Sequence, residues 1–115
     1  MTVSDCVFCR IAAGEVPATV VARDGGFLAF EDVSPKAPVH LLVIPERHVD
    51  SIAGVEGLSA DERAAMLPFI AATASAAGLD GSGYRVTTNH GPDARQSVLH
   101  LHWHILGGTR LSGSM

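Results

Sequence analysis

The sequence predicts an α+β domain: a five-stranded, mostly antiparallel sheet with one main helix and a short N-terminal helix. Three observations carry this. The runs "ATVVARD", "GFLAFED" and "VHLLVIP" are rich in Val, Ile, Leu and Phe and are separated by "GG" and "SPKAP", the pattern of strands between turns. A stretch of helical period opened by Ser59 follows them, and two more extended runs, "GYRVTTNH" and "VLHLHWHIL", come after it.

Each element has a local cause. In "CVFCRIAAGEVP", apolar residues at 7, 8 and 11 followed by Gly14 and Pro17 suggest one or two helical turns and a stop. The first two strands are expected to form a hairpin through "GG". Residues 60 to 77 are expected to form the main helix. Ser59 with Glu62 three residues later is a capping-box pattern, and Asp61 and Glu62 suit the positive first turn. Met66, Phe69, Ile70 and Thr73 fall on one side, as expected of a face packed on a sheet. Pro68 removes one internal hydrogen bond and argues for a kink, and Gly78 supplies the stop. The histidine-bearing strand is expected to be the last.

At 115 residues the chain has the length of one domain, and at 47% hydrophobic it buries a core without staples. One domain is expected over residues 1–115, with "TRLSGSM", 109–115, as a loose tail. The richest apolar stretch, "AAMLPFIAATASAAG", is interrupted by Pro68, Thr73 and Ser75 and is too short to cross a bilayer. The N-terminal "MTVSDCVFC" has no basic segment leading into an apolar one, so a cytoplasmic home and free thiols are expected. A net charge of −4 with scattered basic residues gives no footprint for gripping a nucleic acid. A small anionic ligand in a local pocket remains compatible.

The chemistry concentrates in "LHLHWHILGG", residues 99–108. On a strand, His100, His102 and His104 share one face, turned to a cleft, while Leu101, Trp103 and Ile105 share the other and enter the core. Three imidazoles on one face are open to three readings: a structural set, a tri-histidine metal site, or a nucleophile with supporting imidazoles. Separately, Cys6 and Cys9 form a Cys-x-x-Cys pair, which invites a redox or a zinc reading.

From "CVFCRI" through "FLAFEDVSPKAPVHLLVIPERH" to "GYRVTTNHGPDARQSVLHLHWHILGG", the chain resembles the histidine-triad family, and specifically its Hint branch of nucleotide-binding proteins. The motif is His-x-His-x-His followed by two apolar residues, met here from His100 to Leu106, and the resemblance covers nearly the whole chain. It implies cleavage of a nucleoside monophosphate from a leaving group through a nucleotidyl-histidine intermediate, with no catalytic cofactor required. His102 would be the nucleophile, which suits a neutral imidazole near pH 7 with one nitrogen free and the other held by a hydrogen bond. His104 would hold the α-phosphate, His40 would be a further active-site imidazole, and Ser97 would assist the departing group. Asn89 would touch the phosphate side, with the backbone amides of 97 to 99 completing an anion cradle. Asp32 would accept the ribose hydroxyls, and Phe8, Ile11, Phe30 and Val33 would wall the purine. Taken singly, Ser97 and Asn89 read as turn residues and the four apolar ones as core.

The resemblance also implies a structural zinc on Cys6, Cys9, His48 and His100, a closed Cys2His2 set pinning the N-terminal turn against the histidine strand. It implies a homodimer joined across the main helices and the "GYRV" strand, where Ala71, Ala72 and Ala74 would permit close approach. The sequence departs from the branch at three places. Arg95 stands where glycine is usual, so a positive φ becomes less comfortable and a cation enters the loop. His90 replaces a commoner acidic or neutral residue, and the tail has no aromatic residue. The expected function is hydrolysis of nucleoside 5'-phosphoramidates or related purine nucleotide conjugates. The alternatives are a dinucleoside polyphosphate hydrolase and a nucleotide-binding, zinc-stabilised interaction module with little activity.

Overall fold

A computed structural model describes residues 5–114; the outermost residues of the expected single-domain span, 1–4 and 115, lie outside them. Helix α1 spans Val7–Ala12 and helix α2 Ala60–Ala76. The strands are β1 (Val20–Asp24), β2 (Phe27–Glu31), β3 (Val39–Pro45), β4 (Tyr84–Thr88) and β5 (Trp103–Gly107). They form one sheet in the order β1-β2-β3-β5-β4, antiparallel throughout. The expected fold class is therefore observed.

Local chemistry explains the boundaries. Gly25 and Gly26, at φ 60° and 89°, make the tight turn of the β1–β2 hairpin, where two consecutive positive φ angles match the twist of the strands. Ser59 caps α2 with both halves of the capping box: its Oγ accepts from Glu62 N at 3.0 Å, and Glu62 Oε1 accepts from Ser59 N at 2.7 Å. These bonds and Arg47, 2.8 Å away, hold the Glu62 carboxyl below its ordinary range, the Ser59 amide being the first cause. Pro68 lies within α2 on its exposed side, where the lost backbone bond faces water.

The sheet is covered on both faces. On one, Met66, Ile70 and Ala74 of α2 pack on Phe27, Ala29, Leu41, Val43, Leu101 and Ile105. On the other, Cys6 and Phe8 at α1 pack on Leu28, Phe30, Leu42 and Ile44. Central β2 and β3 are thus buried on both sides, and so "FLAF" and "HLLVI" read as unbroken apolar runs rather than alternating ones. Cutting Ile105 back to Ala would cost about 2–5 kcal/mol. Ala74 belongs to this core, one turn on from Ile70, and so it is not available for close approach by a second chain; Ala71 and Ala72 are exposed. Among the described residues no helix is long and apolar enough to cross a membrane.

The last strand is shorter than the sequence suggests. Paired β5 begins only at Trp103, and His100 and His102 lie in an extended approach to it. That approach is held by Leu101 N donating to Val49 O at 2.7 Å and by Thr88 Oγ1 donating to His102 O at 2.7 Å. These bonds hold the segment, which bends at 98–100, against the chain after β3 and against β4. A 3-10 helix, Ile52–Gly57, opened by Ser51, leads from the segment after β3 towards α2, where the sequence predicts no element.

Candidate active site and metal centre

His40 faces the α1 side of β3 together with Leu42 and Ile44, and His104 lies opposite Leu42 on β5. This register brings together residues 64 positions apart: His40 Nε2 and His104 Nδ1 are 2.9 Å apart. Their protons are fixed by what surrounds them. The backbone N–H of Lys36 donates to His40 Nδ1 at 3.0 Å, so the neutral His40 ring carries its proton on Nε2 and donates it to His104 Nδ1. His104 then carries its own proton on Nε2. Burial lowers both imidazoles, His104 to about 4 with His102 and His40 as secondary causes, so both rings are neutral near pH 7. Asp32 Oδ2 lies 3.4 Å from His40 Nε2, while its Oδ1 accepts from Ser34 N at 2.8 Å.

His102 is 4% exposed, and its Nδ1 donates to His100 O at 2.7 Å. A carbonyl can only accept, so the neutral ring has its proton on Nδ1 and a free lone pair on Nε2. This is the tautomer a nitrogen nucleophile needs. Phe8 braces the ring edge-on, with centroids 5.2 Å apart, and His104 stands 5.2 Å away on the other side.

His100 departs from the expected cleft position. It is fully buried against the thiols of Cys6 and Cys9, at 3.2 and 3.4 Å. The chain bends at 98–100, and the ring lies beneath α1, where Phe8 packs edge-on against both His100 and His102. His48 Nδ1 completes the group, 3.2 Å from Cys9 Sγ and 3.2 Å from His100 Nδ1. The donor atoms of Cys6, Cys9, His48 and His100 all lie within 4.8 Å of one another.

Proton placement makes this a ligand set. His100 Nε2 donates to Pro45 O at 2.8 Å and His48 Nε2 donates to Asp50 Oδ1 at 2.9 Å. Both Nδ1 lone pairs therefore point at each other and at two sulfurs, an arrangement that a cation turns from repulsion into attraction. Two sulfurs and two imidazole nitrogens fit tetrahedral zinc, and the two oxygen-anchored Nε2 groups supply the outer shell such a site uses. Burial and the neighbouring Cys6 raise the Cys9 thiol to about 11, a cost that metal coordination removes by replacing the proton. Burial also pushes His100 down to about 4, keeping Nδ1 free to bind.

The remaining predicted residues are less concentrated. Phe8 and Phe30 are buried, with rings 5.6 Å apart, and Ile11 packs on the same cluster, so these three lie in the core beneath α1. Val33 is 96% exposed and lines a shallow concavity with Pro17, Ala18, Thr19, Glu31 and Asp32. A larger cavity, about 390 Å³, lies under the C-terminal turn of α2 and reaches the candidate site only at His40 and Asp32. Asn89 is half-buried just beyond β4, and Ser97 is exposed on the loop before His100. The amides of 97, 98 and 99 pair with no acceptor among the described residues. Arg95 adopts φ 60°, the one non-glycine residue with positive φ among those described, as its place in the motif foretold.

Several participants were not singled out in the sequence: Asp50 and the Pro45 carbonyl behind the metal ligands, the Lys36 amide behind His40, and Gln96. Gln96 lies inside the "RQS" segment, and only its partners identify its role.

Fold and site together define a class: a small α+β domain whose last strand and the segment leading into it carry three alternate histidines, one beside an imidazole of β3, one with its Nδ1 bonded to a backbone carbonyl, and one in a Cys2His2 cluster. Residues 13–111 match the family model of the HIT domain. The chain is similar to a histidine triad protein from Clostridium difficile, 42% identical over the whole of both chains with a TM-score of 0.90. It is similar to a HIT family hydrolase from Clostridium thermocellum, 35% identical over 99% of each chain with a TM-score of 0.84. It is also 41% identical over 108 residues to an uncharacterised HIT-like protein of Rickettsia prowazekii, covering 93% of this chain and 90% of that one. The protein belongs to the HIT domain family, and it resembles the hydrolases of that family.

Proposed function

We propose that the protein is a purine nucleotide hydrolase of the Hint branch that releases a nucleoside monophosphate from a 5'-phosphoramidate or related conjugate. One observation carries the reading. The Nδ1–H of His102 is committed to the His100 carbonyl at 2.7 Å, leaving Nε2 as a lone pair beside two neutral imidazoles.

The reaction follows from that geometry. His102 Nε2 forms a bond to the α-phosphorus as the phosphorus–nitrogen bond to the amine breaks, and the Ser97 hydroxyl passes a proton to the departing nitrogen. The His100 carbonyl steadies the positive ring that results. Nε2–H of His104, oriented by the chain from Lys36 through His40, donates to a phosphate oxygen with the amides of 97 to 99. Water then attacks the phosphorus and gives its proton back to the Ser97 oxygen, the bond to Nε2 breaks, and the lone pair returns to His102. Asp32 would take the ribose hydroxyls through its outer oxygen, with Asn89 near the phosphate and Phe8, Ile11, Phe30 and Val33 about the base. Bound to Cys6, Cys9, His48 and His100, zinc would supply structure, not chemistry.

Exposed apolar residues on α2, Leu67 at 59% with Ala71 and Ala72, and the unpaired edge of β4 support a homodimer joined at that side. A cytoplasmic setting, where thiols stay reduced, suits the metal centre. Arg95 favours a second leaving group, the anionic phosphates of a dinucleoside polyphosphate.

Purified protein should release adenosine monophosphate from its lysine amide, and His102→Ala should lower kcat/KM by more than about 1000-fold with the fold intact. Full activity in that variant would refute the nucleophile. A faster rate on diadenosine polyphosphate than on the amide would move the protein to the other hydrolase class. Tight nucleotide binding without turnover on either would make it a binding module.

A further inference from the structure

Four consecutive residues after β3 each grip the segment that leads into the active site. His48 Nδ1 lies 3.2 Å from His100 Nδ1, Val49 O accepts from Leu101 N at 2.7 Å, Asp50 O accepts from Gln96 Nε2 at 2.6 Å, and Ser51 Oγ lies 2.7 Å from His90 Nδ1. Within this brace Gln96 uses every polar atom of its side chain. Its Oε1 accepts from Gly91 N at 3.0 Å, and its Nε2 also donates to Val98 O at 3.0 Å. Its own backbone N–H donates to Gly91 O at 3.1 Å, so the loop from 91 to 98 is closed into a ring. Asp50 joins the two ends: its carboxylate holds the metal-facing imidazole of His48, and its carbonyl holds Gln96, the neighbour of Ser97.

We propose that Gln96 is a positioning residue that couples the Cys2His2 cluster to the Ser97 loop, so that metal and nucleotide bind cooperatively. The physical reason is shared ordering. A metal that fixes His48 and His100 also fixes the backbone between His48 and Ser51, and Gln96 passes that fixation to the amides that meet the phosphate. Coupling of this kind is reciprocal, so nucleotide must tighten metal by the same factor. The proposal rests on the nucleotide-binding reading above.

The test uses zinc and adenosine monophosphate as probes. In the whole protein, zinc should tighten binding of the nucleotide by roughly 5-fold or more in calorimetric titration, and the nucleotide should tighten zinc equally in competition with a chelating dye. Gln96→Met, which keeps the volume and loses all three side-chain bonds, should bring both factors below about 2-fold, and Gln96→Glu, which loses the two donors, should do likewise. Both variants should keep the wild-type zinc stoichiometry, since neither touches a ligand atom. If circular dichroism shows that the metal-free chain unfolds, the release rate of zinc from the loaded protein, with and without nucleotide, reads the same coupling. Nucleotide binding that ignores zinc in the wild type would overturn the coupling alone. Undiminished coupling in Gln96→Met would overturn the role of Gln96, and failure of the wild type to bind the nucleotide in either state would overturn the nucleotide reading and this proposal with it.

Discussion

The two histidine clusters flank one stretch of chain and use the same ring in opposite ways. Around His48 and His100, each Nε2–H is anchored on an oxygen, and the two Nδ1 lone pairs converge with two sulfurs. Around His40 and His104 the rings are chained donor to acceptor, from the Lys36 amide through His40 to His104. Asp32, His40 and His104 also bring three donor atoms within 4.8 Å, so residue type and distance alone would make this a second metal site. Proton placement argues otherwise. A metal on His40 Nε2 needs the proton on Nδ1, where the Lys36 N–H already points. The direction of the outer hydrogen bond, more than the spacing of ligands, separates a site that holds a cation from one that passes a proton.

The sharpest way to break this contrast is to titrate cobalt(II) into metal-free protein. One equivalent should bring the intense absorption of tetrahedral cobalt thiolate, abolished in Cys9→Ser and retained in His40→Ala. A second equivalent that disappears with His40→Ala would erase the distinction. Zinc at a thousand times its dissociation constant should raise the unfolding free energy by about 4 kcal/mol, and Cys9→Ser should not respond.

Acid probes both clusters at once. His100 and His104 titrate near 4 in the folded chain against 6.5 unfolded, so between those values the unfolded chain binds more protons. Stability should therefore fall as pH drops from 6.5 towards 4 and be insensitive to these groups above 6.5. For fully buried His100 the slope reaches about 1.4 kcal/mol per pH unit at most. Urea unfolding of the metal-free protein at pH 7 and pH 5 measures it, and equal stabilities would mean that the rings are solvated. In the zinc-loaded protein the acid limb should be steeper, because protons also displace the metal from His48 and His100.

The smallest effect belongs to the loop between the clusters. Arg95 at φ 60° carries left-handed strain, so Arg95→Gly should raise stability by about 0.5 to 1 kcal/mol in thermal unfolding. A loss of rate on anionic leaving groups in the same variant, with the lysine amide unaffected, would assign the cation to the leaving-group side. A destabilised variant would mean that the arginine makes a compensating contact.

Much of the fold was legible because its causes are local. The Ser59–Glu62 box marked the start of α2 to the residue, "GG" marked the hairpin, and the alternation from Leu101 to Ile105 separated core from site before any register was known. All four residues of the Cys2His2 cluster were legible too, through the resemblance and not through Cys-x-x-Cys alone. The 3-10 helix was not, since "IAGVEG" has neither helical length nor strand alternation. The bend at 98–100 was also not legible: a period of two says which residues share a face, but not where pairing into the sheet begins.

The sequence by itself determined the elements, their order and the residue types that chemistry needs, because propensity, capping and hydrophobic period act over a few neighbours. Only the tertiary structure decided what each histidine does. His40 and His104, His48 and His100, and Asp50 and Gln96 meet across 46 to 64 positions of chain. Short-range bonds then place the protons, from the His100 carbonyl to His102, from the Lys36 amide to His40 and from Asp50 to His48, and the long-range meetings decide whether the remaining nitrogens converge on two sulfurs or form a donor-to-acceptor chain.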